Sequence, residues 1–176
     1  QAMHTRGLLP AFAPEALQEA EAARAAGPQH VARALTQPGV HDLSALTWFS
    51  IDNDDTLDLD QLSVAEALPG GRTRLMVAVA DVDVLVPMGG AVDAHAAANT
   101  TSVYTAAGVF PMLPEVLSTD ATSLHQGQER LAVVVDMQVD TNGTVAASDV
   151  YRAVVLNHAK LTYSGVSAWL DGSAPP

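Results

Sequence analysis

Five aspartates occupy nine consecutive positions directly after an apolar run, which is an unusual density of like charge. They repel one another, and burying any of them is costly unless a cation or hydrogen-bond donors compensate. A hard divalent cation bound by oxygen ligands is the usual compensator in proteins. The cluster therefore predicts a metal site, although a solvated acidic loop remains the alternative. The five carboxylates are Asp52, Asp54, Asp55, Asp58 and Asp60.

The residues before the cluster predict how it is positioned. Residues 46–51 are rich in aromatic and β-branched side chains and read as a β-strand, so Asp52 leaves the end of that strand. Residues two apart in an extended segment point the same way. We therefore expect Asp58 and Asp60 to converge on one point in the loop behind the strand.

This pattern resembles the signature of the ribonuclease II/R family, the RNB exoribonucleases, which runs I-D-P-x-x-A-x-D-x-D-D-A after a strand. On that match Asp52, Asp58 and Asp60 fall on three of the four active-site aspartates of the family, and Gln61 falls on the fourth. The resemblance extends over residues 41–170, and an ordered series of motifs is more specific than one acidic loop. The further matching segments are His41-Asp42-Leu43-Ser44-Ala45-Leu46, Val79-Ala80-Asp81-Val82, Pro111-Met112-Leu113-Pro114, Leu117-Ser118, Ser123-Leu124, Arg130 and Lys160-Leu161-Thr162-Tyr163.

The resemblance implies an α+β fold, in which a mixed or antiparallel β-sheet packs against helices. The chain's own residues place a short helical N-terminal segment before that fold. The resemblance also implies processive 3′ to 5′ hydrolysis of single-stranded RNA to nucleoside 5′-monophosphates, with Mg²⁺ as cofactor and Mn²⁺ as its substitute. Asp52 and Asp58 are then expected to bind metal and Asp60 to position the nucleophilic water. Gln61 takes the fourth catalytic position. Asp81 is expected to support the site and Asp83 to be solvated.

A second site is implied by residues 100–104, which resemble the R-x-x-T-x-Y segment of the family. The tyrosine of that segment stacks on the 3′-terminal base, and the matching residue here is Tyr104. Stacking tolerates any sequence because every base has a π-face. The alternative is that Tyr104 belongs to the core. Asn99 stands at the family's Arg position, so the sequence departs from the family at a place where a phosphate contact is expected.

Composition limits the function classes. The 176 residues, 48% of them hydrophobic, suit one domain with a substantial core, and the absence of cysteine excludes disulfides and thiolate chemistry. A net charge of -12 with eight Lys and Arg opposes nucleic-acid binding, although bound cations would invert the local field. The resemblance makes residues 41–176 the first half of the catalytic domain, which places further RNA contacts outside this sequence. Residues 1–40 are predicted from their own pattern to be a helical extension, at a position where the family usually has OB-type domains.

The sequence predicts neither a membrane span nor a secretory signal, so a cytoplasmic location is the default expectation. The sequence does not determine the oligomeric state, for which a monomer is favoured. Helices are predicted over residues 14–24, 30–35 and 91–99, with Gly27-Pro28 ending the first. Strands are predicted over residues 62–68 and 75–86 around the turn at 69–72, and over 130–139 and 144–156 around Asn142-Gly143. Residues 159–170 are expected to be a strand end that leads into a helix.

The residues present exclude several other kinds of catalytic or metal-binding site. The chain has no G-x-S-x-G elbow and no phosphate-binding glycine loop, and an EF-hand begun at Asp52 would need Gly and Glu where Leu57 and Ser63 stand. Two other function classes stay open. One is a non-catalytic RNA-binding protein of this fold, because the amide of Gln61 lends no charge to a cation. The other is a structural metal-binding module without an RNA partner.

Overall fold

The structure is a computed structural model that describes residues 2–106, 108–173 and 175, and these form four α-helices and eight strands. The helices are α1 (Ala2–Thr5), α2 (Pro14–Ala34), α3 (Ala91–Asn99) and α4 (Tyr163–Leu170). The strands are β1 (Val40–Asp42), β2 (Trp48–Asp52), β3 (Gln61–Ala67), β4 (Thr73–Ala80), β5 (Val103–Thr105), β6 (Gly108–Phe110), β7 (Glu129–Val139) and β8 (Val145–Thr162).

Six strands form the main sheet, in the order β1-β8-β2-β3-β4-β7. β8 is 18 residues long and pairs with β7 through its first part and with β2 through its last, so strands β2, β3, β4, β7 and β8 form a closed ring. β8 runs parallel to β1 and β2, and the other pairs in this sheet are antiparallel. β5 and β6 form a separate hairpin. The predicted α+β fold with a mixed sheet is therefore confirmed.

The interior of this ring is the main hydrophobic core. Its side chains come from alternate positions of the strands, as the two-residue period of a strand requires; Leu62 and Val64 on β3 are an example. Leu59 adds a side chain from the acidic loop and anchors that loop to the core. The fully buried members with the largest side chains are Trp48, Leu59, Leu62, Met76 and Leu124.

The N-terminal helix α2 packs against α3 and against the segment around Leu117. Ala16 and Ala20 of α2 are buried against Val92 of α3 and Leu117, which begins a π-helical turn at Leu117–Ala121. Small residues on α2 permit this close approach of the helices. In the part of the chain that the structure describes, no helix is long and apolar enough to cross a bilayer.

The two helices predicted over residues 14–24 and 30–35 are in fact one helix, and the prediction that Gly27-Pro28 separates them is wrong. Pro28 lies inside α2, where it removes one helical hydrogen bond. Apolar contacts on both sides of Pro28 offset that cost, because Ala20 packs against α3 whereas Ala34 packs against Leu131. Tertiary burial thus overrides the local signal.

The second predicted strand, residues 75–86, ends early. β4 stops at Ala80, whose N–H donates to Asp60 O at 2.9 Å just before the partner strand begins. A short 3₁₀ turn at Val82–Val84 follows. β8, in contrast, continues past the predicted end at 156 to Thr162 and leads into α4. The helix over residues 91–99 and the Asn142-Gly143 turn, with Gly143 at φ +85°, are confirmed.

Candidate active site

Asp52 is the last residue of β2 and lies beside Thr162 in the parallel register between β2 and β8. Ser50 and Trp48 lie on the same side of this strand as Asp52, and both are buried. Asp52 is therefore half-buried at the edge of the core. The loop of residues 53–60 then returns the chain to β3.

Lys160 of β8 holds the first half of this acidic loop. Its ammonium group donates to the backbone oxygens of Asp54 at 2.9 Å and Thr56 at 2.7 Å. The positive charge therefore lies among the aspartates while its hydrogen bonds go to the main chain. This arrangement fixes the loop backbone and leaves the carboxylates of the loop available.

Ser123 holds the second half of the loop. Its hydroxyl donates to Leu57 O at 2.7 Å and accepts from Leu59 N at 3.0 Å, so it contacts the backbone on both sides of Asp58. Because the side chain of Leu59 is buried, the flanking Asp58 and Asp60 are both exposed. This is the alternation that the sequence analysis expects.

The charges of Asp60 and Asp58 both act on Asp52. Burial raises the pKa of Asp52 above its ordinary value, and the charge of Asp60 raises it further; Lys160 opposes the rise, and Asp58 adds to it. The structure therefore brings Asp52, Asp58 and Asp60 into one electrostatic neighbourhood. Such repulsion is what a bound cation relieves.

The donor chemistry suits Mg²⁺, which prefers carboxylate oxygens, but the carboxylates are not gathered around one point. Within residues 2–106, 108–173 and 175, no group of three or more acidic or histidine side chains lies close enough together to hold a metal ion. Asp58 and Asp60 thus lie close enough to Asp52 for their charges to act on it, but the three carboxylates do not form a complete set of metal ligands.

Gln61 has different surroundings from these three aspartates. It begins β3 and lines a cavity of about 340 Å³ together with Phe49, Ile51, Tyr163 and Ser63. None of the three aspartates lines this cavity. Alternation along β3 places Gln61 on the side of Ser63, opposite to the buried Leu62.

Tyr104 lies on β5, in the separate hairpin, and is 71% exposed. Its direct partner across the hairpin, Val109, is also exposed. Tyr104 is therefore not a core residue, and its ring is accessible to a ligand.

Asn99, which stands at the family's Arg position, is buried and fully engaged. Its amide accepts from Leu9 N at 2.8 Å and donates to Leu9 O at 2.9 Å, and it also lies 3.0 Å from His95 Nε2. His95 is itself buried and packs on the ring of Phe12 with centroids 4.1 Å apart. These side chains join the N-terminal segment to α3 rather than contacting a ligand.

Asp81, expected to support the site, lies among other charges. Its Oδ2 is 2.9 Å from Arg152 Nε, an ion pair without the directional geometry of a hydrogen bond. Burial raises the pKa of Asp81, Arg152 lowers it, and the charge of Asp83 raises it. Asp83 is 70% exposed and accepts from Arg152 Nη2 at 2.6 Å. Their described charged neighbours do not include Asp52, Asp58 or Asp60.

Sequence reasoning gave no role to Ser123 or Lys160, although both fall within motifs that follow the family's order. Their partners are distant in sequence, since 64 residues separate Leu59 from Ser123 and 104 separate Thr56 from Lys160. A serine and a lysine are common residues, so only their place in those motifs could have singled them out.

The chain belongs to the RNB domain family. The family model, described as the RNB domain, matches residues 40–175. Ribonuclease R of Vibrio cholerae is 42% identical over 131 residues, which are 74% of this chain and 16% of that protein. Exoribonuclease 2 of Escherichia coli is 34% identical over 149 residues, which are 83% of this chain and 23% of that protein. The chain thus spans less than a quarter of the length of either relative.

A solved structure supports the same assignment. Mycoplasma genitalium RNase R in complex with ribose-methylated single-stranded RNA superposes with a TM-score of 0.76 at 26% identity. The match covers 93% of this chain and 28% of that one. Most of the fold of this chain is therefore similar to about a quarter of that enzyme.

Proposed function

We propose that this protein is an exoribonuclease that degrades single-stranded RNA processively from the 3′ end and releases nucleoside 5′-monophosphates. One observation carries the proposal: Asp52, Asp58 and Asp60 lie in one electrostatic neighbourhood at the edge of an RNB domain. The names of the relatives support the same reaction, because they are ribonucleases and exoribonucleases.

We assign Asp52 and Asp58 to the binding of Mg²⁺, with Mn²⁺ as a substitute, and Asp60 to positioning the nucleophilic water. Gln61 is assigned to the fourth catalytic position, where its amide can hydrogen-bond but supplies no charge. When bound, the cation would activate water, neutralise the phosphate and stabilise the leaving 3′-oxygen. Lys160 offsets part of the carboxylate repulsion and keeps the loop in place.

We assign RNA binding at the 3′ end to Tyr104, whose exposed ring can stack on a base of any identity. The chain's net charge of -12 provides little attraction for phosphate, and Arg74 and Arg152 are engaged by acidic side chains. Stacking and bound cations therefore have to supply much of the local affinity.

The experiment uses the intact protein and a single-stranded RNA labelled at its 5′ or 3′ end, with Mg²⁺ or with a chelator. A 3′ label released at once as a mononucleotide, together with progressive shortening of the 5′-labelled strand only when Mg²⁺ is present, supports the proposal. Release of the 5′ label, or internal cleavage, contradicts it.

Asp60→Asn tests the site assignment. The variant should hydrolyse RNA at least roughly 100-fold more slowly, with RNA affinity close to wild type, because the role assigned belongs to the transition state. Asp55→Asn is the matched control, since it removes an exposed carboxylate of the same loop. Equal turnover by Asp60→Asn and Asp55→Asn would refute the assignment.

A non-catalytic RNA-binding protein is the second candidate, and Gln61 is the observation that favours it. A neutral amide replaces a charge that hard cations prefer. That protein would retain labelled RNA with and without Mg²⁺ and never shorten it. A structural metal-binding module would bind the cation and not the RNA, so the same experiment separates all three.

A further inference from the structure

Ser123 is buried and hydrogen-bonds to both of the peptide units that flank Asp58. The residue is 1% exposed, and its hydroxyl uses both its donor and an acceptor lone pair on the loop, towards Leu57 O and Leu59 N. Leu124 adds a third bond, from its N–H to Leu59 O at 2.8 Å. Hydrogen bonds to residues 123 and 124 therefore hold the backbone on either side of Asp58.

The segment that carries Ser123 is itself fixed from other elements. Arg130 Nε donates to Ser123 O at 3.1 Å, and Asn157 Nδ2 donates to Leu124 O at 2.9 Å. Asn157 is buried on β8, three residues before Lys160. Residues 123 and 124 are thus held by side chains from β7 and β8, independently of the acidic loop.

The geometry points to Ser123 as a positioning residue, which we propose orients Asp58, and through Leu59 also Asp60, for cation binding and for hydrolysis. This inference rests on the function proposed above. Lys160 supplies the second attachment of the loop, at Asp54 and Thr56. With both attachments in place, the loop backbone needs little further ordering when a cation binds, so the remaining cost is the turning of the carboxylate side chains towards it.

The test compares Ser123→Ala with Thr122→Val in the intact protein. Thr122 is the adjacent buried residue, and its hydroxyl donates to Leu117 O at 3.0 Å, so the control removes a buried hydrogen bond that does not touch the loop. Binding of Mn²⁺ is titrated by electron paramagnetic resonance, which needs no activity. RNA affinity, kcat and the melting temperature are measured alongside.

Ser123→Ala is expected to weaken Mn²⁺ binding at least fivefold and to lower kcat at least tenfold, with RNA affinity within twofold of wild type. Thr122→Val should lower the melting temperature by a similar amount and leave Mn²⁺ binding unchanged. Wild-type Mn²⁺ affinity in Ser123→Ala, or an equal loss of affinity in both variants, overturns the inference. An inactive wild-type protein would refute the proposed function alone, because the Mn²⁺ comparison still decides the role of Ser123.

Lys160→Met provides an independent variant at a more exposed position, should Ser123→Ala fail to fold. Removing a positive charge beside Asp52 would by itself tighten cation binding, whereas releasing the loop would weaken it. Weaker Mn²⁺ binding by Lys160→Met therefore supports attachment of the loop as the dominant effect. Tighter binding overturns it.

Discussion

At the scale of single residues, the candidate site combines charges that oppose one another with a backbone that is held in place. Burial and the neighbouring carboxylates both disfavour the ionised form of Asp52, and Lys160 only partly compensates. Active sites commonly keep such unfavourable charge because the substrate or a cofactor relieves it. The hydrogen bonds of Ser123 and Lys160 fix the loop backbone from which Asp58 and Asp60 project.

Tyr104→Ala is expected to leave the melting temperature close to that of wild type, because the side chain is 71% exposed. The loss of one stacking contact, worth about 1–3 kcal/mol, should weaken the binding of the last nucleotides and lengthen the final short product. Gel analysis of the end products checks this. A strongly destabilised variant would show that the ring contributes to the fold instead.

Gln61→Asp should reach half-saturation at a lower Mg²⁺ concentration, because it adds a charge next to Asp60 in the sequence, at the position where the resemblance implies a fourth aspartate. The Mg²⁺ dependence of the melting temperature is a suitable measurement. Asn53→Asp adds the same charge to an exposed position of the loop and serves as the control. If Gln61→Asp and wild type reached half-saturation at the same Mg²⁺ concentration, the side chain of residue 61 would point into the cavity lined by Phe49 and Tyr163 and away from the cation.

At the scale of elements, α2 determines where α3 begins. The carboxylate of Glu19 on α2 accepts from Ala91 N at 2.7 Å and Val92 N at 3.3 Å, so a side chain from another helix satisfies the first turn of α3. Gly90 permits this approach, since a Cβ there would lie 2.5 Å from Glu19 Oε1. α3 in turn leads through Asn99 to the hairpin of Tyr104.

Glu19→Ala is therefore expected to destabilise the protein by about 1–2 kcal/mol, the range found for lost helix caps and their charge. Glu19→Gln keeps one acceptor oxygen and should cost less. Denaturant unfolding of both is compared with that of Glu21→Gln, which removes an exposed charge from the same helix. If Glu19→Ala proved no less stable than Glu21→Gln, the cap would contribute nothing to stability.

At the scale of the whole molecule, the closed ring of strands concentrates a polar network on β4, β7 and β8. Asp136 accepts from Arg74 through Nε at 3.0 Å and Nη2 at 2.6 Å, and from the Tyr151 hydroxyl at 2.9 Å. The Arg74 hydrogen bond lowers the pKa of Asp136, burial opposes this, and Tyr151 lowers the pKa further. Three strands are thereby joined through one carboxylate.

A carboxyl group with a lowered folded-state pKa stabilises above its unfolded value, near pH 3.9, and this stability is lost as the pH falls through the folded value. Asp136→Asn should therefore cost about 1–3 kcal/mol at pH 7 and much less in acid. Denaturant unfolding at pH 7 and in acid measures the difference. Tyr151→Phe, which removes one of the hydrogen bonds, should give a smaller change of the same sign, and a loss independent of pH would contradict this account.

The sequence by itself determined what depends on local pattern. The alternation that exposes Asp58 and Asp60 on either side of Leu59, the helix over residues 91–99 and the Asn142-Gly143 turn all follow from short-range periodicity and turn chemistry. The order of motifs along the chain was enough to indicate the RNB family, which the comparisons then showed.

Tertiary structure decided what depends on partners distant in the chain. Pro28 is tolerated inside α2 because both ends of that helix bury apolar residues, and β8 extends to Thr162 because β2 offers it a second pairing surface. Ser123 reaches the loop from 64 residues away, and the pairing of strands places Gln61 in a cavity that the three aspartates do not line. Such contacts form only when the ring of strands has closed, so no local pattern specifies them.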